Sequence, residues 1–158
     1  MARVLVVGCG CRGRELARKL ASQGHLVRGT TRDPAHLPEI EAAGAEAVVA
    51  DPDQVGTVMA RLDGVSVVCW LMGTADAAEV HGQRLRTLLE RLVDTPVRGF
   101  VYEAAGSVDP GVLAAGAAAV REAADTWRMP AEVVGSDPVE HEAWLATATS
   151  AVVRLLLT

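Results

Sequence analysis

The sequence predicts an α/β fold: a doubly wound parallel sheet of about six strands in the order 3-2-1-4-5-6, with helices on both faces. Three observations predict it. Short apolar runs alternate with helix-patterned stretches from one end of the chain to the other. The connections are short, so each crossover returns a parallel strand and must be right-handed. The runs themselves, such as Val4-Leu5-Val6-Val7, are apolar at consecutive positions, as strands buried on both faces require.

Residues 3–7 read as the first strand. It runs directly into Gly8-Cys9-Gly10-Cys11-Arg12-Gly13 and then an amphipathic segment, 12–23, with Leu16, Ala17, Leu20 and Ala21 on one face. Gly24 ends that helix. Residues 26–30 form the second strand. Asp33-Pro34 offers a cap and a first-turn proline for a short helix to Ala43, which Gly44 stops. A third strand is expected over 45–50, a helix from Asp51-Pro52 to about Leu62, and a fourth strand over 65–71. A long helix over 75–92 follows, interrupted only by Gly82. A fifth strand at 97–103, an alanine-rich helix at 110–127 and a sixth strand at 131–134 come next. Asp137-Pro138 is expected to cap a final helix. Residues 152–157 fit the end of that helix, an extra strand or an apolar tail against a partner subunit.

The length suits one domain over residues 1–158, and no linker or repeat divides it. Half the residues are hydrophobic and few are aromatic, so the core is aliphatic. The net charge of −5 argues against a non-specific nucleic-acid binder. No apolar run approaches the roughly 20 residues of a membrane span. The chain opens on a strand rather than a secretory signal, and the expectation is a soluble, cytoplasmic protein. The apolar helices after strands four and five are candidate pairing surfaces for a homodimer.

Cys9, Cys11 and Cys69 do not make a secreted disulfide framework, and Cys9-x-Cys11 has no second cluster to complete a metal site. They read as small side chains in a loop and a strand. The sharper alternative is that oxidation of Cys11 spoils the glycine loop. Lys19 is the only lysine, so no lysine beyond the first helix serves as base or Schiff-base former.

A strand that ends in Gly-x-Gly-x-x-Gly and opens a helix is a device for holding a pyrophosphate. Gly8 permits the sharp turn, Gly10 admits backbone to the phosphates, and Gly13 lets the helix pack on the sheet. The helix start, including Cys11, presents free N–H groups and a positive dipole end. A site for NAD usually carries a carboxylate near the end of the second strand, for the ribose hydroxyls. Here that end reads Thr30-Thr31-Arg32, with Asp33 just beyond. Two hydroxyls and a guanidinium suit a 2′-phosphate, and Arg12 is a second candidate to reach it, so NADP is favoured over NAD. Asp51, closing the third strand, either accepts from the adenine amine or caps the next helix. Met72, Gly73 and Thr74 end the fourth strand at the topological switch point and are candidates to touch the nicotinamide side.

The Gly8-Gly10-Gly13 loop, Thr30-Thr31-Arg32-Asp33-Pro34 after strand two, Asp51 after strand three and Gly106-Ser107 after strand five make the chain resemble the short-chain dehydrogenase/reductase superfamily. The likeness is to its extended and atypical branch of NmrA-like and epimerase-like proteins, and it covers most of the chain. The resemblance implies a nicotinamide dinucleotide cofactor, and gives a serine near Ser107 the role of bonding a substrate carbonyl. The chain departs from the family in its chemistry. The Tyr-x-x-x-Lys dyad is absent: Tyr102 is the only tyrosine and Gly106 stands four residues beyond it. Only about two dozen residues follow the sixth strand, where the extended branch carries a substrate-binding region. The remaining candidates for proton chemistry are Ser107, Glu103 as general acid or base, and His81 as donor. Their alternatives are a loop serine, a satisfied carboxylate and a helix-surface histidine. His141 and Glu142 lack metal-ligand spacing, no Gly-x-Ser-x-Gly elbow exists, and Trp127 and Trp144 read as helix-packing residues.

Two functional classes follow. One is a small NADP-dependent oxidoreductase passing hydride to a small acceptor; the other is a non-catalytic dinucleotide-binding redox sensor or regulatory module. A methyltransferase is disfavoured, because its ribose site wants an acid at the end of strand two.

Overall fold

The computed structural model describes residues 3–74 and 78–158. Its strands are β1 Arg3–Val7, β2 Leu26–Thr31, β3 Glu46–Val49, β4 Val65–Trp70, β5 Gly99–Glu103 and β6 Ala131–Val134. Its helices are α1 Cys11–Ser22, α2 Leu37–Ala42, α3 Val55–Met59, α4 Gln83–Leu92, α5 Pro110–Trp127 and α6 His141–Leu156. The strands form one sheet in the order β3-β2-β1-β4-β5-β6, every pairing parallel. This is the doubly wound architecture the alternating pattern predicts.

The period of two along each strand divides the core. Leu5 and Val7 join Val68, Trp70, Phe100 and Tyr102 beneath α3, α4 and α5. Val4 and Val6 join Val67, Cys69 and Val101 beneath α1, α2 and α6. On α1, Gly13, Leu16, Ala17 and Leu20 turn inward, the stripe a helix must bury against a sheet. Ala21, expected on that face, is only half-buried.

Most differences from what the sequence predicts lie at the Asp-Pro pairs, which in sequence resemble helix starts. Asp33 does cap its successor, accepting from Ala35 N at 2.9 Å, but what it caps is a 3₁₀ turn over Pro34–His36 that leads into α2. Asp51 ties a turn instead: Oδ1 accepts from Asp53 N at 2.9 Å and Thr57 Oγ1 accepts from Asp51 N at 2.8 Å, so α3 begins only at Val55. Asp137 likewise accepts from Val139 N, and α6 starts four residues later. In each case the short side chain bonds local backbone before a helix can nucleate. The helix expected over 75–92 is a 3₁₀ turn at Ala78–His81 and then α4; Gly82 is the cap between them, and 75–77 lie outside the described residues. Residues 152–156 are the last turns of α6, where Val152 and Leu155 are buried and Leu155 packs on Gly99.

Candidate functional site

The carboxyl ends of β1 to β4 open into a cavity of about 720 Å³. Its floor is the glycine loop. Gly8 has φ +85°, and a side chain there would collide with Met72 and the Leu71 carbonyl. A Cβ on Gly13 would lie 2.9 Å from the Gly8 carbonyl oxygen and 3.2 Å from Val6 Cγ1, so glycine lets α1 sit tight on the strand. Gly10 differs: a Cβ there meets nothing within 4 Å, and the residue is exposed on the cavity wall. Gly10 also caps α1 without a side chain, so no side chain blocks the first-turn N–H groups. Open space over a bare helix start fits a pyrophosphate, and Cys11, Arg12 and Gly13 line the same wall.

The β2 end of the cavity is basic. Thr30, Thr31 and Arg32 line it. Thr30 is buried and Arg32 is exposed. Asp33, whose Oδ1 accepts from the Ala35 amide, does not line this cavity. Three residues not singled out from sequence join this wall: Arg14, His36 and Glu39. Arg14 Nη1 lies 3.3 Å from Glu39 Oε2, and His36 Nδ1 lies 3.4 Å from Glu39 Oε1. The His36–Glu39 spacing of three residues was the available signal for one pair. Nothing local marked the reach of Arg14 across to α2. Asp51 lines the cavity while its Oδ1 ties a turn; it does not cap the next helix, because α3 starts at Val55 behind Gln54.

The β5 end is closed. Arg12 turns away from β2 and makes a two-point bond to Glu103: Nε to Oε2 at 3.0 Å and Nη2 to Oε1 at 2.7 Å. Glu103 is fully buried. It also accepts from Gly73 N at 2.7 Å and from Trp144 Nε1 at 2.9 Å, and the Arg12 guanidinium lies over the Trp144 ring. Two expectations change. Arg12 is engaged at the β5 end by Glu103, while Arg32 stands at the β2 end, although both line the cavity. Glu103 is the hub of a four-donor network and does not line the cavity.

Gly73 is part of the same closure. A Cβ on it would strike the Ala105 carbonyl, a Cβ on Gly106 would strike the Gly73 carbonyl, and Val108 N donates to Gly73 O at 3.1 Å. The β4 and β5 exit loops therefore meet backbone to backbone. Met72 and Thr74 line the cavity and Gly73 does not. Ser107 is exposed and stands off the cavity wall.

His81 is buried rather than on a helix surface. Its Nε2 donates to the Met72 carbonyl at 2.7 Å, which leaves Nδ1 to accept from the Tyr102 hydroxyl at 2.6 Å. Burial pushes the His81 pKa down and the Tyr102 pKa up, so both are held neutral. Gly116, in mid-helix α5, has a plain reason: a Cβ there would strike the Tyr102 hydroxyl. Ser107, Glu103 and His81 are thus not brought together, and none of them lines the cavity.

Burial pushes the Cys9 thiol up to about 12 and raises Cys69 as well. Cys11 alone is exposed. Among the described residues no cluster of three metal-ligating side chains occurs. No helix there is long and apolar enough to cross a membrane.

The dinucleotide-binding architecture agrees with what is known of other proteins. Residues 8–132 match the model of the NAD(P)H-binding family, and the chain belongs to that family. No curated protein matches the sequence. Solved structures share the fold. UDP-glucose 4-epimerase from Thermotoga maritima is 14% identical with a TM-score of 0.70, covering 83% of this chain and 54% of its own. Vestitone reductase from alfalfa is 16% identical with a TM-score of 0.65, covering 84% and 56%. The Citrobacter triphenylmethane reductase complexed with NADP(H) is 19% identical with a TM-score of 0.64, covering 83% and 48%. The chain spans about half the length of these three structures.

Proposed function

We propose that the chain binds NADP(H) in this cavity and acts as an oxidoreductase toward a small acceptor. The observation that carries the cofactor choice is the β2 end: Thr31, Arg32, Arg14 and His36 line it, and Asp33 does not line the cavity. In this reading the first turn of α1 holds the pyrophosphate, with Gly10 as the point of closest approach. Arg32 holds the 2′-phosphate beside Thr31, whose hydroxyl ties the turn by donating to the Asp33 carbonyl, and Met72 and Thr74 border the nicotinamide side. NADPH supplies a hydride when bound, and the acceptor takes the accompanying proton from water. The Citrobacter reductase, solved with NADP(H), supports the reading by analogy of fold.

A specific observation favours a second reading, the non-catalytic redox sensor. None of Ser107, Glu103 and His81 lines the cavity, so no side-chain acid among them stands ready to protonate an acceptor. Oxidation of NADPH by a panel of flavin- and quinone-like acceptors separates the two: turnover supports the oxidoreductase, and tight binding without turnover supports the sensor.

The cofactor choice is tested by Arg32→Glu. It should weaken NADPH by about 1.5–3 kcal/mol, the scale of a hydrogen bond to a charged group, and leave NADH unchanged. Equal loss for both cofactors would overturn the role of Arg32.

A further inference from the structure

We propose that Glu39 sets the cofactor selectivity of the site by competing with a 2′-phosphate for the basic groups beside it; this rests on the NADP(H) reading. Three elements converge on its carboxylate. Arg14 comes from α1, His36 from the 3₁₀ turn after β2, and Glu39 itself from α2. Both carboxylate oxygens are engaged, Oε2 beside Arg14 Nη1 at 3.3 Å and Oε1 beside His36 Nδ1 at 3.4 Å. All three residues line the cavity with Thr31 and Arg32, so the pair stands in the site rather than behind it. Among the described residues Arg32 makes no ion pair, which leaves it as the ready cation and Arg14 as the occupied one.

A phosphate monoester and a carboxylate seek the same donors. The phosphate brings up to two charges and three acceptor oxygens, so it outcompetes a single carboxylate for a guanidinium. Glu39 can yield, because its side chain is 51% exposed and an exposed ion pair contributes little. NADPH binding is then an exchange: Arg14 releases Glu39 to water and takes the phosphate, at the cost of the pair. NADH brings no phosphate, so Glu39 keeps its place on Arg14 and offers an acceptor at the ribose end of the cavity. One carboxylate opposes the phosphorylated cofactor and favours the other.

Calorimetric titration of Glu39→Gln with NADPH and NADH tests this. The variant keeps the side chain's shape and removes its charge. NADPH should tighten about fivefold and NADH should not tighten, moving the affinity ratio toward NADPH. In an Arg14→Gln background, Glu39→Gln should lose most of that effect, because the partner it contests is gone. A ratio that stays put or moves toward NADH, while Arg32→Glu still weakens NADPH selectively, overturns the role of Glu39 and leaves the NADP(H) reading standing. If Arg32→Glu shows no selectivity, both fall.

Discussion

Two arginines, two positions apart on α1, each meet a glutamate, and the two pairs do opposite things. Arg12 meets Glu103, whose carboxylate is fully buried and takes four donors from α1, the β4 exit loop and α6. Arg14 meets Glu39, whose side chain is half exposed and lines the cavity. The chemistry of the pairs is the same, and burial decides their role. A buried carboxylate that loses its cation strands a charge in low dielectric, so breaking that pair is costly. An exposed one can give up its cation to a better anion, so it can belong to a binding site.

The difference is broken most sharply by truncating each glutamate. Glu103→Ala should cost about 3–5 kcal/mol in urea unfolding, because Arg12 and the Trp144 indole lose a buried partner. Smaller, and still at the closed end, is the response of His81 to pH. Its folded-state pKa is depressed by burial, whereas the unfolded chain takes up the proton near about 6.5. The unfolded state therefore binds more protons below that pH. The stability contributed by neutral His81 is fully present above it and falls as pH drops through it, with a slope approaching about 1.4 kcal/mol per pH unit. Unfolding free energies of the parent and His81→Gln between pH 8 and 5 read this out, and parallel curves would contradict it. The smallest effect belongs to the open end. Glu39→Ala should change stability by less than about 1 kcal/mol while moving cofactor affinity. A large loss of stability there would erase the contrast between the two pairs.

The fold was legible because it rests on periodicity and on glycine. The unbroken apolar run at Val4–Val7 predicts a strand buried on both faces, and both faces are buried. The roles read for Gly8, Gly10 and Gly13 match a turn at positive φ, an open approach and a tight helix contact. The Asp-Pro starts were read too early, because an aspartate that bonds its own turn looks in sequence like one that caps a helix. The pairings at the two ends of the cavity were not legible, for a different reason. Arg12 and Glu103 are separated by 91 residues, and only the strand order brings them together. Sequence offered Glu103 as an acid or base because a carboxylate at a strand end suits that role. It holds no information on the four donors that surround it.

The most direct test of the account is calorimetric titration with NADPH of the parent chain and of Gly10→Val, whose side chain would enter the open space above the glycine loop. The account predicts saturable binding by the parent, tighter for NADPH than for NADH, and loss of binding in a variant that unfolds at the parent's midpoint. Undiminished binding by the folded variant would mean that the dinucleotide does not lie on this loop.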